Sequence, residues 1–177
     1  FAAREGGVGV IEDGVVRVLL GDGLDGAVVR SIYPDPRGSL WFATSRGLVA
    51  ITAEGPVRAV PESEVPPGCC TAVAMDPSSR TWVGGPGGLY RLHRERLLRE
   101  DVGLPTGAAV TVLIVDSGGL LWVGTDRGLY RLVGGRLSPV PEANGKHVLG
   151  AARAPEGGLW FGTDRGAIHV RPPTVEV

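Results

Sequence analysis

Little in this sequence could cross a membrane, grip a nucleic acid or hold a metal ion. No run approaches the roughly 18 uninterrupted apolar residues that a bilayer-spanning helix requires, and the chain does not open on a charged segment followed by an apolar stretch, as a secretion signal would. Neither sign of charge dominates, since 18 Lys and Arg against 19 Asp and Glu leave a formal net charge of -1. No basic field is therefore available to attract a phosphate backbone or an anionic bilayer, and the expected partners include no nucleic acid and no membrane contact. Methionine occurs once and cysteine twice, as the adjacent pair Cys69 and Cys70. Neighbouring side chains of an extended strand point to opposite faces, so the pair is expected to be unbridged, as small apolar residues of a buried inner strand. The sequence contains no metal-ligand spacing and no cofactor motif, and none is expected.

What the chain does have is turn chemistry. With 29 glycines and 14 prolines in 177 residues, it has the composition of many short strands joined by tight connections, which favours an all-β fold. The four tryptophans, Trp41, Trp82, Trp122 and Trp160, fall 41, 40 and 38 residues apart. Their surroundings recur with them. The third copy reads Leu121-Trp122-Val123-Gly124-Thr125-Asp126-Arg127-Gly128-Leu129-Tyr130, and the fourth reads Leu159-Trp160-Phe161-Gly162-Thr163-Asp164-Arg165-Gly166-Ala167-Ile168. An aspartate stands six residues before the tryptophan at Asp35, Asp76 and Asp116, and the fourth copy has Ala154 there. The opening Phe1 to Gly6 aligns with Phe42 to Gly47, so the chain begins inside a repeat.

A period near 40 residues marks an array of supersecondary units. Each unit carries four short β-type runs, which in the repeat that contains Trp41 are Val28 to Tyr33, Leu40 to Thr44, Leu48 to Thr52 and Val57 to Val60, with turn residues between them. Four antiparallel strands per repeat, with no helical period, is the content of a propeller blade. The predicted fold is therefore an all-β, partial β-propeller of four to five four-stranded blades. Its repeats cover about 1–24 (incomplete), 25–65, 66–105, 106–143 and 144–177. The tryptophans are assigned to packing between blades, and Gly124, Gly162 and Ala43 to close approach of adjacent blades. Gly47, Gly88, Gly128 and Gly166, after each second strand, are expected to adopt positive φ in a hairpin turn. The first and last pieces could share one blade in a small ring, but a section of a larger propeller is the preferred reading.

The run from Asp116 through Leu-Trp122-Val-Gly-Thr125 to Gly128-Leu-Tyr-Arg-Leu132 resembles the two-component regulator propeller repeat. The resemblance covers the four full copies. It departs most in the second blade, where Thr81 replaces leucine and Gly85-Pro86-Gly87 replaces the threonine turn. It implies a non-catalytic sensing module of a bacterial two-component protein, periplasmic or otherwise extracytoplasmic, recognising a glycan or another small ligand and dimerising through the parent sensor. WD40 blades fit less well, because Phe or Val follows each tryptophan. Streptogramin lyases, whose repeats also resemble Leu-Trp-Phe after an Asp-x-x-Gly turn, remain the enzymatic alternative, and a protein-interaction scaffold is a third.

Two sets of residues are candidate ligand contacts. Arg46, Arg127 and Arg165 share one column in the turn between the second and third strands, with Gly87 and Glu5 filling it elsewhere. Rotational repetition would set them in an arc on the face that carries the blade-to-blade loops, where guanidinium forks suit carboxylates, sulfates and sugar hydroxyls. His147 aligns with Val28, Cys69 and Ala109 at the start of an innermost strand, near the channel mouth. Neither a second histidine nor a fixed acid accompanies it by register, so it is a contact rather than a catalyst. His93 reads as an exposed turn residue. His169, aligned with Ala50, Arg91 and Arg131, is expected to be solvated. The charged run Arg91 to Arg99 reads as an outer edge strand protected from edge-to-edge pairing.

Overall fold

The structure, a computed structural model, describes residues 8–20, 26–60 and 62–171. The opening Phe1 to Gly6, Glu5 among them, and the closing Pro172 to Val177 lie outside the described residues. Strands β1 (Val8–Glu12) and β2 (Val15–Leu20) form a hairpin. Three complete blades follow in chain order. The first is β3 (Val29–Pro34), β4 (Leu40–Thr44), β5 (Gly47–Thr52) and β6 (Gly55–Arg58). The second is β7 (Ala72–Met75), β8 (Thr81–Gly85), β9 (Gly88–His93) and β10 (Arg96–Arg99), and the third is β11 (Val110–Val115), β12 (Leu121–Thr125), β13 (Gly128–Val133) and β14 (Arg136–Pro139). A fourth blade has β15 (Val148–Arg153), β16 (Leu159–Thr163) and β17 (Gly166–Val170). Every pairing is antiparallel between consecutive strands, and no α-helix occurs among the described residues. Among the described residues, the β1–β2 hairpin and the fourth blade form separate sheets.

Turn chemistry closes each blade at both ends. At the lower end, the aspartate six residues before the tryptophan does two jobs. Asp116 Oδ1 accepts from the backbone N–H groups of Gly118 and Leu120, both at 2.9 Å, while Oδ2 accepts from the Trp122 indole at 2.9 Å. Asp76 repeats this with Ser78, Arg80 and Trp82, and adds the Arg80 guanidinium at 2.7 Å. Burial alone would raise the Asp76 carboxyl, but these hydrogen bonds and the Arg80 charge outweigh it and hold the group below its ordinary value. At the upper end, the threonine of the motif sets the hairpin. Thr125 Oγ1 donates to Gly128 O at 2.9 Å and accepts from the Arg127 N–H at 3.0 Å, and Thr44 and Thr163 repeat the arrangement. The glycine that follows turns the chain with positive φ, +120° at Gly47, +125° at Gly88, +153° at Gly128 and +111° at Gly166, a region that side chains with a Cβ avoid.

Blades pack by inserting one side chain into the space left by a missing one. A Cβ placed on Gly124 would lie 2.7 Å from Val148 Cγ1 of the fourth blade, and one on Gly84 would collide with Val110 of the third. The tryptophan two residues earlier faces the same neighbour: Trp122 packs with Val148, Leu159 and Phe161, and Trp82 with Val110 and Leu113. Hydroxyl groups tie the inner strands together in the same direction. Thr71 Oγ1 donates to Val110 O, and Thr111 Oγ1 to Val148 O, each at 2.6 Å.

The cysteine pair departs from the sequence reading. Cys69 and Cys70 are bonded to each other as a vicinal disulfide. The expectation failed because it placed them within a strand, whereas β7 begins only at Ala72. Cys70 has φ +78°, and this turn removes the alternation that would have kept the two sulfurs apart. Their burial was read correctly, since both are buried between the first and second blades with Ala43, Leu48 and Val83. His169 is a second correction. Instead of standing in solvent, its ring stacks on Trp160 with centroids 4.3 Å apart, and its Nε2 is buried.

Candidate functional site

The inner strands β3, β7, β11 and β15 stand around a central cavity of about 520 Å³, within the size range of small-molecule sites. Much of its wall is apolar, with Ile32, Val73, Val112, Ile114 and Leu149 among the lining residues. Into it the first blade contributes Arg30, Ser31 and Tyr33, the second Thr71, the third Thr111, and the fourth Arg153. Neither Asp nor Glu lines it among the described residues. The β-strand irregularities explain part of this placement. Register shifts fall between Val29 and Ser31, between Val110 and Val112, and between Val148 and Gly150, so Arg30, Thr111 and Leu149 are bulge residues. A bulge re-aims its side chain and leaves it outside the ladder.

Several donors in the cavity are already committed. Tyr33 Oη donates to Met75 O at 3.1 Å, and burial raises the Tyr33 phenol above its ordinary value. The Arg153 guanidinium donates to Val115 O of the third blade at 2.5 Å and lies near enough to the Tyr33 phenol to oppose that rise. Toward the lower mouth the wall passes to Asp35, Asp76 and Arg37, again with Arg153. Both carboxylates are engaged there. Asp35 accepts from the Arg37 N–H at 2.8 Å and the Trp41 indole at 3.4 Å, and Asp76 is held as described above.

Arg46, Arg127 and Arg165 all lie at the upper face and are exposed, and none of them lines the central cavity. Arg127 donates to Thr106 O of the preceding loop at 3.0 Å, and Arg165 lies 3.9 Å from the carboxylate of Asp164. These turns do share a face with the loops between blades. The Asp126 carboxylate accepts from the Ala109 N–H at 2.9 Å, and the Asp126 N–H donates back to Ala109 O at 3.1 Å. Asp164 and His147 repeat this reciprocal clamp at 2.9 and 3.0 Å. Asp164 is thus the acid beside His147, and it engages the histidine's backbone. In the second blade Pro86 occupies the clamp position and has no N–H to give, and there the Cys69–Cys70 disulfide stands instead. Arg30 and Arg153 were missed in the sequence. The signal for them is a cation in a column whose other members are Thr71, Thr111 and Leu149 in one case, and Pro34, Met75 and Val115 in the other.

Residues 23–46 match the family model for the two component regulator propeller. No curated protein sequence matches the chain significantly. Among solved structures, the extracellular domain of BT4673 from B. thetaiotaomicron is similar at a TM-score of 0.72 and 17% identity, over 93% of this chain and 24% of that one. A catalytically inactive virginiamycin B lyase from Staphylococcus aureus, solved with quinupristin, is similar at a TM-score of 0.67 and 19% identity, over 96% of this chain and 64% of that one. PorZ of Porphyromonas gingivalis, a surface component of the type-IX secretion system, is similar at 0.65 and 17% identity, over 89% and 28%. The chain therefore spans about a quarter of that extracellular domain and under two thirds of the lyase. At these identities the likeness shows the propeller fold.

Proposed function

Starting from the two-component regulator propeller repeat that this chain carries, we propose that it is a non-catalytic recognition module in the extracytoplasmic, periplasmic sensor region of a two-component signalling protein. The observation that carries this reading is the central cavity, framed by all four inner strands and holding a few polar groups in an otherwise largely apolar wall. A site of that form binds by shape and a few fixed polar groups. Among the described residues the cavity is lined by no His, Asp or Glu that could serve as a base beside the Ser31, Thr71 and Thr111 hydroxyls. The ligand is a glycan or another small polar molecule, and dimerisation belongs to the parent sensor. The arginines of the upper face, Arg46, Arg127 and Arg165, stand where a ligand entering from above would first meet the protein. Titration calorimetry against monosaccharides and short acidic and neutral oligosaccharides tests the reading. Saturable binding, lost when Thr111→Trp fills the cavity, is expected; absence of binding across that set would overturn it.

The lyase reading is favoured by one observation, the fold similarity to virginiamycin B lyase. Incubation with quinupristin, followed by mass spectrometry, should return the compound unchanged. A His147-dependent product would replace the sensor reading with an enzymatic one.

A further inference from the structure

We infer that the central cavity selects an acidic small ligand, one bearing a carboxylate or sulfate, which Arg30 and Arg153 grip from the first and fourth blades. The inference rests on the recognition reading above and narrows its ligand class.

The cavity's chemistry is asymmetric in sign. Arg30 and Arg153 are the two charged groups among its lining residues. The acids nearest by, Asp35 and Asp76 at the lower mouth, already accept hydrogen bonds from Trp41 and from Trp82 and Arg80. Both still act on the Tyr33 phenol, but Asp76 is paired with Arg80 at 2.7 Å, and Arg37 stands at the same mouth as Asp35. The hydroxyl donors of Thr71, Thr111 and Tyr33 are also spent, on Val110, Val148 and Met75 carbonyls. Apart from the Ser31 hydroxyl, the side-chain donors that the wall still offers are the two guanidinium groups. Arg153 is braced by one bond to Val115 O, which fixes its plane while leaving further N–H groups of the five in its fork. A planar fork held in place is the geometry that favours a bidentate carboxylate or sulfate, and a partly enclosed wall screens that attraction less than bulk water does. The same wall repels cations, and it gives a neutral ligand fewer partners than an anionic one.

Position in the repeats supports the assignment. Arg30 stands in the bulge column where Thr71 and Thr111 stitch one blade to the next, and Arg153 replaces an apolar residue of its column. Neither is needed there to form a blade, since the other repeats do without it.

The test is calorimetric titration of the whole chain at low salt with glucuronate, glucose and inorganic sulfate. Glucuronate should bind at least about tenfold more tightly than glucose, and Arg30→Gln and Arg153→Gln should each weaken glucuronate by a similar factor. Sulfate should compete with glucuronate. Arg30 is exposed, so Arg30→Gln should leave the melting temperature unchanged and reads binding alone. A triple variant with Arg46, Arg127 and Arg165 changed to alanine should retain glucuronate binding. Equal binding of glucose and glucuronate, or binding indifferent to Arg30→Gln and Arg153→Gln, overturns the acidic-ligand assignment while leaving a recognition module in place. Loss of binding in the triple variant alone moves the site to the upper face and likewise overturns it. Failure of all three compounds to bind also overturns it, and the wider oligosaccharide set then decides whether the recognition reading survives.

Discussion

The third and fourth blades carry nearly the same motif and present it to opposite surroundings. Trp122 is 6% exposed and Trp160 is 42% exposed. A Cβ on Gly124 would meet Val148, whereas one on Gly162 would meet nothing within 4 Å. Thr111 reaches a neighbouring carbonyl, while its counterpart Leu149 is 62% exposed. Asp116 anchors the Trp122 indole, and Ala154 brings no carboxylate to Trp160, which stacks on His169 instead. The difference teaches that the motif specifies a blade with a socket, and that burial of the tryptophan is contributed by the neighbour that fills it.

The sharpest way to break this comparison is to truncate both rings. Trp122→Ala should cost about 3–5 kcal/mol, as deletion of a buried aromatic does, and Trp160→Ala under about 1 kcal/mol. Equal losses in urea melts would refute the socket account. Next in size, Gly124→Ala should destabilise by about 1–3 kcal/mol through overpacking against Val148. Gly162→Ala, with open space around it, should be neutral or slightly stabilising.

Acid should act through Asp76. Its carboxyl is held below the ordinary value in the folded chain, so the unfolded chain binds the proton first. Its contribution is present above the unfolded value near about pH 4 and disappears as pH falls through the folded one. Melting curves from pH 7 to pH 3 should therefore steepen their decline less in Asp76→Asn than in the parent; identical profiles would show the hydrogen bonds to be energetically idle. The smallest expected effect is a gain. Ala154→Asp should restore the turn bonds of the other blades and stabilise by about 0.5–1 kcal/mol, seen as a small rise in melting temperature, and a fall would mean the Trp160–His169 stack excludes the carboxylate.

Much of the blade could be read directly. Leu40 to Thr44 is strand β4 as expected, and the bounds of the other three runs of that repeat fall within two residues of β3, β5 and β6, because glycine and proline turns punctuate them. The positive φ at Gly47, Gly88, Gly128 and Gly166 was equally legible, since a two-residue hairpin demands it. Trp160 was not, because a one-repeat pattern carries no information about what stands beside the last copy. The Cys69–Cys70 bond was missed because alignment placed the pair inside a strand, and only the backbone turn at Cys70 brings the sulfurs together. Arg30 and Arg153 were passed over for a subtler reason. Residues that recur in a column are what a repeat makes visible, and these two break the recurrence of theirs.

The threonine bridges have a directional consequence. Thr71 and Thr111 each secure their own blade to the one that follows, so mechanical support is handed along the chain and stops at Leu149. Opening should then propagate backwards from β17, with amide protons exchanging soonest in the fourth blade and latest near β8 and β12, as in any row of units coupled only to their neighbours.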